Sequence, residues 1–249
     1  ASVDFIAAED TRVSLKLLNH FDIRRPLVSY HEHNRAQSGE KILARLLAGE
    51  TCALVTDAGF PAISDPGEDL VRLCAEHGVT VCAIPGPCAL VTALSISGLP
   101  TGRFTFEGFL SVNKKSRQEH LTGLKDETRT MIFYEAPHKL LATLQDLSAA
   151  FGAERKISLC RELTKLHEET VRTTLAEAAS YYRDNEPRGE YVLVVAGREK
   201  QDSAMTLEEG IALVQKLRDE GMKLKEAARR VADDTGLSRN ALYDGALRG

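Results

Sequence analysis

The order of apolar and amphipathic runs in this 249-residue sequence predicts an α/β protein followed by an all-helical tail. Short continuous apolar runs alternate with amphipathic stretches as far as Gly197, and no strand-like run follows. Because those runs are continuous rather than alternating, the sheets should be covered on both faces.

Strands are expected at Ala53–Thr56, Val79–Ile84, Thr130–Tyr134, Lys156–Cys160 and Tyr191–Val195. Between them, Gln37–Leu47 sets Ile42, Leu43, Leu46 and Leu47 on one stripe, and Glu68–His77 does the same with Leu70, Val71 and Cys74. A third helix is expected over His138–Phe151, closed by Gly152 as its C-cap. Arg103–Asp126, rich in Gly, Lys and Ser, reads as a passage between two α/β lobes, 1–105 and 106–198. A polar gap at Arg198–Ser203 precedes a helical tail over 203–249. Within the tail, alanine pairs, a turn at Gly236 and Ser238 as N-cap match helix-turn-helix spacing. The tail is charge-balanced, so packing or docking explains it as well as nucleic-acid contact does.

Composition narrows the class. Apolar residues make up 43% and charged residues 27%, as in globular proteins. No apolar run reaches the roughly 20 residues that span a bilayer, and no signal-peptide pattern opens the sequence, so the expected location is cytoplasmic. The five cysteines have no metal-type spacing and read as reduced, buried small hydrophobes. A net charge of −4 argues against bulk attraction to nucleic acid and leaves local patches.

Two expected strands end in loops suited to a small ligand, as Thr56-Asp-Ala-Gly-Phe60 and Pro85-Gly-Pro87 follow apolar runs. Asp57 either positions a polar or cationic ligand or closes its strand as an Asx-turn. Asp65-Pro66-Gly67 reads first as a helix start, with a functional role as the lesser alternative. Backbone N–H groups near Cys88 either meet a ligand or simply begin a helix. Polar clusters stand at Ala8-Glu-Asp-Thr-Arg12, Ser29-Tyr-His-Glu-His-Asn34, Glu135-Ala-Pro-His138 and Cys160–Thr170. His31 and His33 resemble a metal pair, but no third ligand stands at a telling spacing. No nucleophile elbow, Walker loop or G-x-G-x-x-G occurs, which disfavours hydrolase, P-loop and dinucleotide readings.

Taken in order, these motifs closely resemble the bacterial ribosomal RNA small subunit methyltransferase I family, a branch of the tetrapyrrole (class III) methylases. The carriers are Ala8–Arg12, Tyr30–Asn34, Thr56–Gly67, Pro85–Pro87, Phe133-Tyr-Glu-Ala-Pro-His138 and Arg161-Glu-Leu-Thr-Lys165. The resemblance implies two α/β lobes of the tetrapyrrole methylase type, a cofactor cleft between them, and the helix-turn-helix-like tail. It also implies S-adenosylmethionine as methyl donor, a homodimer, and 2′-O-methylation of a cytidine in 16S rRNA of the small ribosomal subunit. Thr56-Asp57-Ala58 takes the place of the superfamily's Gly-Asp-Pro donor loop, with Asp57 retained. Gly59, Phe60, Gly86, Cys88 and Ala89 match further donor contacts, and Tyr134 with the Tyr191–Ala196 strand supplies the opposite wall. The family opens with a Pro-Ile-Gly-Asn-Leu strand, whereas this sequence begins just before Ala8–Arg12. The expectation is that a glycine loop of the cleft is missing and that these residues alone bind the donor poorly.

Methyl transfer from a sulfonium needs the acceptor oxygen aligned and its proton removed. The candidate bases are His31, His33, Glu9, Asp10 and Glu162. Arg12, Asn34 and Lys165 are expected to orient RNA, and Lys114, Lys115, Arg117, Arg24 and Arg25 to meet phosphates or solvent. One rival is a methyltransferase acting on a tetrapyrrole or another small molecule; a second is a metabolite-sensing DNA-binding regulator.

Overall fold

The computed structural model describes residues 2–199 and 205–248. The chain divides into two compact units, Ala1–Arg198 and Glu199–Gly249.

The first unit begins with β1 (Phe5–Ala8), α1 (Thr11–His20), β2 (Leu27–Ser29), α2 (Arg35–Leu47), β3 (Cys52–Val55), α3 (Glu68–Glu76) and α4 (Ala89–Ile96). Its three strands form a parallel sheet in the order β2-β1-β3. The central strand is buried at every position, and Phe5, Ala7 and Tyr30 pack with Ile42 of α2 and Leu70 and Cys74 of α3. Asp10 caps α1 by accepting the Arg12 N–H.

The unit continues through β4 (Phe104–Phe109), α5 (Lys114–Gly123), β5 (Thr130–Glu135), α6 (Leu140–Phe151), β6 (Lys156–Arg161), β7 (Glu169–Thr174), α7 (Leu175–Asp184) and β8 (Tyr191–Val195). These strands form a mixed sheet ordered β4-β5-β8-β6-β7, in which only β4 and β5 run parallel. The side-chain period of two separates its faces. Met131, Phe133, Leu159, Leu193 and Val195 bury against α6 and α7, while Ile132, Cys160, Val192 and Val194 bury against α4. Covered faces are therefore a property of the sheet's central strands. Gly152, at φ 97°, ends α6 as expected.

Three expectations require correction. Val79–Ile84 belongs to no strand; it lies open, with Ile84 81% exposed. Apolar content marked it as a strand, but no strand among the described residues lies beside it. For the same reason Cys82 is exposed rather than buried. Arg103–Asp126 is not a mere passage, because it contains β4 and α5; Asn113 caps that helix by accepting the Lys115 and Ser116 N–H groups. Polar surface residues had hidden α5, and Gly108 within Phe104–Phe109 had hidden β4.

The second unit holds α8 (Leu207–Asp219), α9 (Leu224–Thr235) and α10 (Arg239–Arg248) around Val214, Ala227, Ala228, Val231, Leu242 and Ala246. Thr206 and Glu209 form a capping box at the start of α8. Gly236 ends α9 in the left-handed conformation, and the Ser238 hydroxyl accepts the Ala241 N–H at 3.4 Å. The predicted gap at Arg198–Ser203 lies, from Lys200 onward, outside the described residues.

Candidate active site

Register brings the expected clusters together. Ala8 pairs with Ser29 on one side and with Val55 on the other, so β1, β2 and β3 end at one edge. Glu9 and Asp10, Tyr30 and His31, and Thr56 and Asp57 therefore leave the sheet side by side, at the carboxyl ends where α/β sheets bind ligands. Backbone amides tie the edge to its carboxylates: the Asp10 N–H donates to Asp57 Oδ1 and the Asp57 N–H to Glu9 Oε2, each at 3.3 Å.

The loop from Asp57 to Gly67 is bent by positive φ at Gly59 (84°), Ala62 (68°), Ser64 (63°) and Gly67 (147°). Non-glycine residues hold that conformation only where their surroundings enforce it. The loop lines a cleft of about 520 Å³ together with Glu9, His31 and His33. Asp65, read from sequence as a helix-start residue, lies in this cleft instead; the N-cap of α3 is Gly67, with no side-chain cap. Burial, reinforced by Glu9, Glu190 and Asp57, pushes the Asp65 carboxyl up to about 6.

Tyr134 and the start of α4, expected to form the opposite wall, are not part of this cleft's lining. Tyr134 of β5 accepts the Leu90 N–H at 3.1 Å, at the start of α4, which fixes Cys88 and Ala89 opposite β5. Its ring lies edge-on to Phe106 (5.0 Å) and Phe109 (5.6 Å), and burial above all pushes its hydroxyl up to about 12. The Asp65 charge acts on Tyr134 as well.

The remaining predicted residues separate by what already engages them. Asp10 caps α1 and holds Arg12 through Nε (3.0 Å) and Nη2 (2.7 Å), which keeps its carboxyl well below the usual range. Asn34 Oδ1 accepts the His31 N–H at 2.9 Å, so it shapes the loop itself. His31 Nδ1 is buried without a hydrogen-bond partner, and the His31 and His33 rings stand 6.0 Å apart. Glu162, at φ 51° beyond β6, pairs with Lys165 at 2.9 Å and lies against Gly189, next to Glu190. Lys114 and Lys115 are exposed on α5, whereas Arg117 is 13% exposed and bonded to Asp146 (2.6 Å) and Thr143 (2.8 Å). Arg24 pairs with Asp22. Gly86 is exposed before α4, and Phe60 is half-buried in the loop.

Sequence reasoning favoured a helix start for Asp65, carried the donor-loop role to Thr56 only as a neighbour of Asp57, and did not single out Glu190; among the described residues the buried Thr56 hydroxyl has no hydrogen-bond partner. The position of Thr56 beside Asp57 was the only available signal for it. Nothing local marks Glu190, since strand order alone brings it near Asp65.

The edge offers a carboxylate and polar side-chain atoms to a polar or cationic ligand. Among the described residues Thr56 Oγ1 and His31 Nδ1 have no hydrogen-bond partner, and no ion pair engages the Asp57 carboxylate, which lies within the field of Arg12.

This fold and cleft define a methyltransferase of the tetrapyrrole methylase class. Residues 1–179 match the Tetrapyrrole (Corrin/Porphyrin) Methylases, and 204–249 match the RsmI C-terminal HTH domain. The solved structure of the methyltransferase CobJ shares the fold, with a TM-score of 0.55 at 19% identity over 78% of this chain and 83% of that one. Within the class, the chain belongs to the ribosomal RNA small subunit methyltransferase I family. It is 49% identical to that protein from Synechocystis sp., over 99% of this chain and 88% of the relative. To the Halalkalibacterium halodurans protein it is 47% identical, over 97% and 84%. The protein is an S-adenosylmethionine-dependent methyltransferase. Among the described residues, no helix is long and apolar enough to cross a membrane.

Proposed function

We propose that the protein methylates ribosomal RNA of the small subunit, at the 2′-oxygen of a cytidine ribose in 16S rRNA, acting in the cytoplasm as a homodimer. The observation that carries this reading is near-full-length similarity to relatives named ribosomal RNA small subunit methyltransferase I, combined with a cleft rimmed by carboxylates and imidazoles. S-adenosylmethionine supplies an electrophilic methyl group, held by the Asp57–Phe60 loop and by Cys88 and Ala89 at the start of α4. The chain's own residues align the hydroxyl and receive its proton, which converts an encounter into an oriented displacement. Glu9, His31, His33 and Glu162 are candidate proton acceptors, and Arg12, Asn34 and Lys165 border the approach of RNA. Lys114 and Lys115 offer exposed cations for phosphates.

The test incubates full-length protein with labelled S-adenosylmethionine and small subunits from cells lacking this gene, then maps ribose methylation. One labelled 2′-oxygen on 16S rRNA is expected. Donor binding with methyl transfer only to a porphyrin-type acceptor would refute the RNA reading and support the small-molecule one.

A further inference from the structure

We propose that Asp65 accepts the proton of the acceptor hydroxyl during methyl transfer, an inference that rests on the RNA-methylation reading above. Three geometric observations support it. Asp65 lines the cleft that Glu9, His31 and His33 also line. It is held there by a loop strained at Ala62 and Ser64 on its near side and turned at Gly67 on the other. A Cβ placed on Gly59 would lie 3.7 Å from Asp65 Oδ2, so the carboxylate folds back over the donor loop. Among the described residues no hydrogen bond or ion pair engages it, in contrast to Asp10, which Arg12 holds.

Its surroundings match that task. Glu9 beyond β1, Asp57 beyond β3 and Glu190 before β8 all bear on it with like charge, and Tyr134 of β5 is within its field. The nearest cation on the cleft lining, Arg35, is engaged by Glu32 (3.3 Å) and Asp69 (3.2 Å). A carboxylate so placed is more basic than an ordinary one, yet still mostly ionised near neutral pH, as a general base requires. His31, whose Nδ1 has no hydrogen-bond partner among the described residues, lines the same cleft and would orient the hydroxyl.

The step balances. The oxygen–methyl bond forms as the sulfonium–methyl bond breaks, and its electron pair stays on sulfur as a neutral thioether. The hydroxyl proton moves to an Asp65 oxygen and then to water.

The test uses full-length protein. Carboxyl ¹³C NMR of donor-free protein, assigned with Asp65→Asn, should show Asp65 titrating near 6. Single-turnover transfer to small subunits should slow by roughly 100- to 10,000-fold in Asp65→Asn, with donor affinity within about threefold by calorimetry. The wild-type pH profile should carry a limb that the variant lacks. Titration of Asp65 in the ordinary carboxylate range, an unimpaired variant, or a variant that loses donor affinity in step with rate would each overturn the proposal. Wild-type protein that binds donor but transfers nothing to subunits would overturn the RNA reading and this proposal together. An unimpaired variant beside active wild type overturns the proposal alone. Where Asp65→Asn fails to fold, Asp65→Ser supplies both the assignment and the rate comparison in its place.

Discussion

Replacing Asp65 with Asn should stabilise the protein at neutral pH. In the folded state this carboxyl is raised from 3.8 to about 6 by burial and by Glu9, Glu190 and Asp57. Between those pH values the folded state binds more protons than the unfolded state, so stability falls as pH rises through the window. At about 1.36 kcal/mol per unit, the shift sets a ceiling of roughly 3 kcal/mol. Part of the carboxylate faces solvent, and screening reduces this to about 1 kcal/mol at pH 7. Asn keeps the shape and removes the charge. The variant should therefore match wild type below about pH 4 and gain on it up to about pH 6. At pH 7 its melting temperature should be about 2–4 °C higher. Differential scanning calorimetry from pH 4 to 8 measures this directly. A lower melting temperature at pH 7, or a difference that does not change with pH, would refute the electrostatic account of the loop. Higher stability with lost turnover is the pattern expected of a charge kept for function.

Gly67→Ala should destabilise the protein by about 2–4 kcal/mol in denaturant titrations, because at φ 147° the added Cβ would lie 2.8 Å from Leu54 Cδ2 and 3.0 Å from the Ala62 nitrogen. Lys114→Ala with Lys115→Ala should reduce the salt slope of RNA binding by about 1.4, if each contacts one single-stranded phosphate, and leave stability unchanged. Arg117→Ala should do the reverse. It should cost about 2 kcal/mol by freeing Asp146 and Thr143, with no change in that slope; a changed slope would return Arg117 to the RNA-facing surface.

Central strands and amphipathic helices were legible because burial writes them into composition. Tyr191–Val195 is continuous apolar sequence and is β8, and of the two helix stripes Ile42, Leu46, Leu70 and Cys74 pack into the core, whereas Leu47 and Val71 are exposed. Elements at the rim were not legible. β7 (Glu169–Thr174) carries Glu169, Thr170, Arg172 and two more threonines, since an edge strand faces water along much of its length. β4 was hidden by Gly108, which takes φ 64° at a register shift against β5. Val79–Ile84 shows the opposite failure: apolar content states what a segment could pair with, not whether a neighbour lies beside it.

The site divides along the same physical line. Glu9, Asp10, His31 and Asp57 stood out because each directly follows an apolar run, and parallel register then brought all of them to one edge. Asp65 could not stand out in that way. Asp-Pro-Gly is good chemistry for starting a helix, and a helix does begin within three residues of it, at Glu68. What separates a cap from a proton acceptor is where the carboxylate ends up. Here Gly67 caps the helix without using it, and a strained loop presents it to three other carboxylates, one of them just before a strand more than a hundred residues away. Long-range convergence of like charge has no local signature. It is also the arrangement folding would avoid unless something depended on it, which gives Asp65 a stronger claim on the chemistry than the better-satisfied Asp10.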